Sequence, residues 1–304
     1  MADAPAILDS FRRYAALIRE RVGTVFPFSA EREGADAVQV ERGVVFPAAL
    51  TNAGLLPPYV DRLLEVGGLL PVTVVDRGGQ QRPVYRSLLV YAWLQAFRAA
   101  YETLPRAEFG RWEAGLRPWC DALEARVGEI ELPVDGIPAA TGAAAAEVCW
   151  AAAALHVAGK LLVRDAWTDL ASSVFGRLTK AQRPTGAFLR ASLSDNPETL
   201  WYHELVILHA AAAYAVQSED RPLAAAVRRN TEWHMNETQP DHATTQPWGL
   251  FAFLWNPDTH PVADALLHAA QTQQPAGLDG VSLILLADAL YSLSLFPGTG
   301  EKRG

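Results

Sequence analysis

The stretch WTDLASSVFGRLTKAQRPTGAF, residues 167–188, together with TLWYHELVILHAAAAYAVQ, residues 199–217, decides the fold. In the first, Trp167, Leu170, Ala171, Val174, Phe175 and Leu178 recur at helical spacing while the opposite face stays polar. The second is apolar nearly all round. A helix with no polar face must be covered on every side, and helices apolar along one stripe are suited to cover it. The pair therefore predicts an inner helix flanked by outer ones, joined through a turn built on Gln182, Pro184 and Gly186.

The plan returns twice downstream. RPLAAAVRRNTEWHMNET precedes a turn at Gln239, Pro240 and Asp241 and then ATTQPWGLFAFLW; HPVADALLHAAQTQ precedes a turn at Gln273, Pro275 and Gly277 and then DGVSLILLADALYSLSLF. Upstream, residues 85–101 form an apolar helix, and Phe109, Trp112, Leu116, Cys120, Leu123 and Val127 trace one stripe of the next. AAAAEVCWAAAALHVAGKLL follows as an alanine-rich helix; alanine lets backbones approach closely at no cost in helix propensity, which predicts a crowded inner position. A first helix is expected over residues 5–22. Residues 34–81 break into short β-prone pieces among Gly and Pro, and read as a small irregular or β-hairpin insertion. The expected class is all-α, an (α/α)5–6 toroid of helical hairpins in a single domain spanning 1–304.

Composition narrows the functional classes. Half of the 304 residues are hydrophobic, 20% are charged and nine are Trp, enough for a large core. A net charge of -8 with no basic stripe argues against nucleic acid, whose phosphates call for clustered Lys and Arg. Two cysteines make no disulfide scaffold, and the charged N-terminus lacks a signal peptide's apolar core, which predicts a cytoplasmic protein. The uncharged runs LVILHAAAAYAVQ and ATTQPWGLFAFLWNP are shorter than the roughly 18 residues of a membrane span, so no transmembrane segment is expected.

An apolar helix ending in Ala-Gln, then x-Pro-x-Gly-aromatic, then another apolar helix resembles the repeat of the terpenoid-cyclase and protein-prenyltransferase toroids, over residues 140–296. That resemblance implies an enzyme with an apolar central cavity and a polar mouth. Zinc-dependent prenyltransferase β subunits carry Asp-x-Cys-aromatic on one inner helix and Tyr-His on a later one. Glu147-Val148-Cys149-Trp150 and Tyr202-His203 are similar, with Glu in place of Asp, and imply a Zn2+ site of Glu147, Cys149 and His203. Nothing here is similar to the cyclases' Asp-x-Asp-Asp motif. Polysaccharide lyases of toroidal fold also present Tyr-His, so WYHE at residues 201–204 resembles them as well and implies a carbohydrate-active alternative. A third reading is a non-catalytic helical scaffold.

If the inner helices run parallel, their N-terminal ends meet at one mouth, where free N–H groups and helix dipoles suit a phosphate or carboxylate, as on a prenyl diphosphate or an acidic sugar alike; the expected partner is a small apolar or anionic ligand. Tyr202, His203, Glu204, Asp241 and His242 are the candidate acid–base residues there. Arg86, Trp201, Trp248 and Asp279 are the candidate substrate contacts. Structural readings stand beside these: Asp241 and Asp279 suit helix N-caps, Cys149 suits a small buried hydrophobe, and most Trp suit packing. His156, His209 and His268 read as core histidines, and His234 with Glu237 as a weak metal-spaced pair.

Overall fold

The structure, a computed structural model, describes residues 73–75, 81–83, 86–100, 106–128, 132–134, 136–193, 195–237, 247–253 and 261–263, with 265, 266, 285 and 288. The expected helix over 5–22 lies outside these residues. Helices dominate what is described, so the protein is all-α in this region. The strands β1 (Thr73–Val75) and β2 (Gln81–Pro83) pair antiparallel, with Thr73 opposite Pro83. They form a hairpin at the C-terminal edge of the expected insertion, the rest of which lies outside the described residues.

The main helices are α1 (Arg86–Ala100), α2 (Arg106–Gly128), α3 (Gly142–Leu161), α4 (Asp165–Ala181), α5 (Pro197–Ser218) and α6 (Arg221–Glu237). A short helix, α7 (Leu250–Phe253), follows. α3 packs against α1, α2, α4 and α5, and α5 also packs against α6 and α7. On α3 the burial runs through consecutive residues from Ala145 to Gly159. On α4 it is confined to Trp167, Ala171, Val174, Phe175, Leu178 and Ala181, and on α6 to one face from Leu223 to His234. Inner and outer helices thus follow the patterning of their sequences. α3, with its flanking turn from Ala139, is long and apolar enough to cross a membrane, but 89% of its apolar window is buried within the protein.

Side-chain contacts give the inner helices their direction. Ser87 near the start of α1 bonds Glu147 near the start of α3, while Arg98 at the end of α1 bonds Gln217 at the end of α5. The His156 and Tyr214 rings, late in α3 and α5, lie 5.0 Å apart. α1, α3 and α5 therefore run parallel. The chain turns from α3 into α4 at Gly159, where a Cβ would lie 2.9 Å from the Arg164 carbonyl oxygen and 2.7 Å from Thr168 Cγ2.

The Gln-Arg-Pro-Thr-Gly turn has a physical role at each polar position. Gly186 sits at φ +99, and a Cβ there would lie 2.4 Å from the Arg229 carbonyl oxygen. Gln182 Nε2 donates to the Gly186 and Ala226 carbonyls, both at 2.8 Å, and Arg229 Nε donates to Gln182 Oε1 at 2.9 Å. One glutamine thus closes its own turn and fastens α4 to α6. Beyond the turn, β4 (Leu189–Arg190) pairs in parallel with β3 (Ile137–Pro138), joining the segment that precedes α5 to the segment that precedes α3.

Candidate functional site

The parallel inner helices bring their first turns to one end of the bundle. α5 starts at Asn196-Pro197, the Asn side chain accepting from the Glu198 N–H at 2.9 Å. Two turns on, His203 packs against the start of α3, its Cβ 3.1 Å from where a Cβ on Gly142 would stand. Burial lowers the pKa of His203, favouring the neutral imidazole. Trp201 and Tyr202 are half-buried; the Tyr202 ring centroid lies 5.8 Å from that of His203 and 6.1 Å from that of Trp248. Tyr202, His203 and Trp248 therefore come together, with Trp248 fully buried.

The other candidates divide differently. Glu204 is completely buried and accepts from the Leu189 N–H at 2.6 Å, with Asn230 Nδ2 at 3.4 Å from its other oxygen. These bonds tie α5 to α6 and to the segment before α5, and burial pushes the carboxyl pKa up to about 8. Arg86 opens α1. Asp241, His242 and Asp279 lie outside the described residues, as does His268. His234 is buried, its ring beside those of Trp233 and Phe253, while Glu237 is exposed.

The donors proposed for zinc do not fit a shared ion. Glu147 accepts from the Ser87 N–H at 3.2 Å, its backbone carbonyl accepts from Ser87 Oγ at 2.8 Å, and Arg126 Nε lies 3.9 Å from the carboxylate. This side chain ties α1, α2 and α3 together. Cys149 stands two residues on in an unbroken helix, about 200° around the axis. It is fully buried among apolar neighbours, and desolvation pushes its thiol pKa up to about 12. Among the described residues no three His, Cys, Asp or Glu side chains gather as a metal site would require.

A second polar group lies deeper, in the middle of the inner helices. His209 on α5 places Nε2 2.8 Å from Asp288 Oδ2, both buried. Asp288 also faces the Tyr91 hydroxyl of α1, whose pKa is raised first by burial and then by that carboxylate. The same hydroxyl accepts from Gln95 Nε2 at 2.6 Å and Gln217 Nε2 at 2.9 Å, and Arg98 Nη1 donates to Gln217 Oε1 at 3.0 Å. Aromatic rings surround the pair. Trp150 lies 4.9 Å from Tyr91 and 5.7 Å from His209, and Trp248 lies 5.8 Å from His209. A run of ring contacts thus leads from His203 and Tyr202 through Trp248 to His209, Trp150 and Tyr91.

Sequence reasoning placed His209 in the core but missed its partner. The available signal was polar residues, Gln95, His209 and Asp288, standing inside otherwise apolar helices, where burial demands a partner. Periodicity could not say which residue, 79 positions away, would supply it. Compared with protein-family models, with curated proteins and with solved structures, the chain matches none.

Proposed function

We propose that this protein is an enzyme of the α/α-toroid class, similar in plan to terpenoid cyclases and prenyltransferases, that transfers a proton to or from an apolar substrate held among aromatic rings. His209 is the proton-handling residue and Asp288 positions it. The observation carrying this reading is the buried His209–Asp288 contact at 2.8 Å inside a wall of Tyr91, Trp150 and Trp248. A carboxylate on Nε2 holds the proton there, makes Nδ1 the basic nitrogen and stabilises the imidazolium once a proton is taken. The aromatic faces attract positive charge developing on a substrate in this water-poor interior. This reading routes no step through a metal.

The structural bonds of Glu147 and Glu204 and the burial of Cys149 favour a second reading, a non-catalytic scaffold. One experiment separates the two. The protein is incubated in heavy water with a panel of isoprenoid alcohols, diphosphates and alkenes, and products are followed by mass spectrometry. Deuterium incorporation or a rearranged product, abolished in His209→Gln while the helical fold persists by circular dichroism, is expected. No product across the panel, or equal product from His209→Gln, leaves the scaffold.

A further inference from the structure

We infer that Trp150 and Asp288, with Gln95 beside them, form the polar end of an interior binding site for an apolar molecule bearing one neutral hydroxyl. The inference rests on reading this interior as the substrate site, and names what it takes. Trp150 Nε1, Gln95 Oε1 and Asp288 Oδ1 are buried without a hydrogen-bond partner among the described residues. Polar atoms in a dry interior are destabilising when nothing meets them, so three in one region call for an occupant. All three residues adjoin Tyr91, whose hydroxyl faces Asp288. Tyr91 and His209 each touch both Trp150 and Asp288, and Gln95 bonds the Tyr91 hydroxyl.

The inventory selects the chemistry. Trp150 supplies a donor, so the occupant must accept; Asp288 and Gln95 supply acceptors, so it must also donate. A hydroxyl does both, with Asp288 Oδ1 or Gln95 Oε1 taking its single hydrogen. An ammonium would leave the indole N–H unmet. A phosphate or carboxylate would face Asp288 directly, and among the described residues no Lys or Arg is buried to offset that repulsion. The remainder of the molecule meets the rings of Tyr91, Trp150 and Trp248, which favours an alkyl or alkenyl body.

The test uses four probes with one tail, on the intact chain: decanol, decyl methyl ether, decane and decyl phosphate, measured by calorimetry and thermal shift. Decanol is expected to bind and raise the melting temperature. The ether, which cannot donate to Asp288, and decane, which offers neither bond, should bind at least about tenfold more weakly. Decyl phosphate should bind most weakly. Trp150→Phe keeps the ring, removes the donor and should weaken decanol about tenfold while leaving decane unchanged. Equal binding of decanol and decane, tighter binding of the phosphate, or no binding of decanol would overturn the inference; in the last case solvent alone meets the three atoms. These outcomes are separable from the acid–base reading, because loss of turnover in His209→Gln stands whether or not the hydroxyl is discriminated.

Discussion

Gly186 and Gln182 show how much one residue decides. Gly186 occupies a left-handed backbone conformation and touches the Arg229 carbonyl, so a methyl group is excluded by torsion and by space. Gly186→Ala should lower the unfolding free energy by about 1–3 kcal/mol from the torsion alone, read in a denaturant titration. Gln182→Ala removes the donor from two carbonyls and should cost about 1–2 kcal/mol in the same measurement. The Gln-x-Pro-x-Gly pattern was legible because turn chemistry is local. The strut formed by Glu204 was not, since a Glu beside Tyr202 and His203 looks equally like an acid–base residue until its carboxylate is seen bonding Leu189 and Asn230.

Among the elements, α3 is the one whose composition most directly foretells its place. Its alanines let α1, α2, α4 and α5 close in on four sides, and Ala151, Ala152 and Ala154 have no exposed surface. Ala152→Leu should overpack this position and destabilise by about 1–3 kcal/mol. Ala143→Leu, at a partly exposed position of the same helix, should change stability by no more than about 0.5 kcal/mol. Thermal unfolding of the two variants checks the contrast; equal losses would mean that crowding does not distinguish the sites. Of the β1–β2 hairpin, β1 lies in a β-prone piece of the expected irregular or β-hairpin insertion, whereas β2 carries no such signal. The parallel bridge of β3 with β4 was not read, because each contributes only two residues to a pairing that joins distant loops.

At the scale of the whole molecule, buried titratable groups set opposing pH limits. Burial, with Lys160 and Arg98, lowers the His156 pKa from 6.5 to about 4, and burial lowers that of His234 from 6.5 to about 3. Below pH 6.5 the unfolded chain binds protons that the folded chain refuses, so the stability these histidines contribute falls as the solution is acidified through that window. Glu204 has the opposite sign. Its pKa rises from 4.5 to about 8, so between those values the folded chain holds a proton the unfolded chain has lost, and stability declines as pH rises. A stability maximum inside this overlap is expected in urea titrations across pH. Glu204→Gln should flatten the alkaline side and leave the slope below pH 4.5 unchanged; an unaltered alkaline slope would remove Glu204 from the account.

Local pattern alone told the inner α3 from the outer α4 and α6, and placed the Gln182 turn, because burial period, alanine content and turn chemistry are properties of a few consecutive residues. The partners of the buried polar groups came from the packing of distant segments. Asp288 meets His209, Glu204 meets Leu189 and Asn230, and Glu147 meets Ser87 rather than Cys149 and His203. A buried polar atom takes whichever complementary atom the packing of distant helices delivers, and no local pattern encodes that choice.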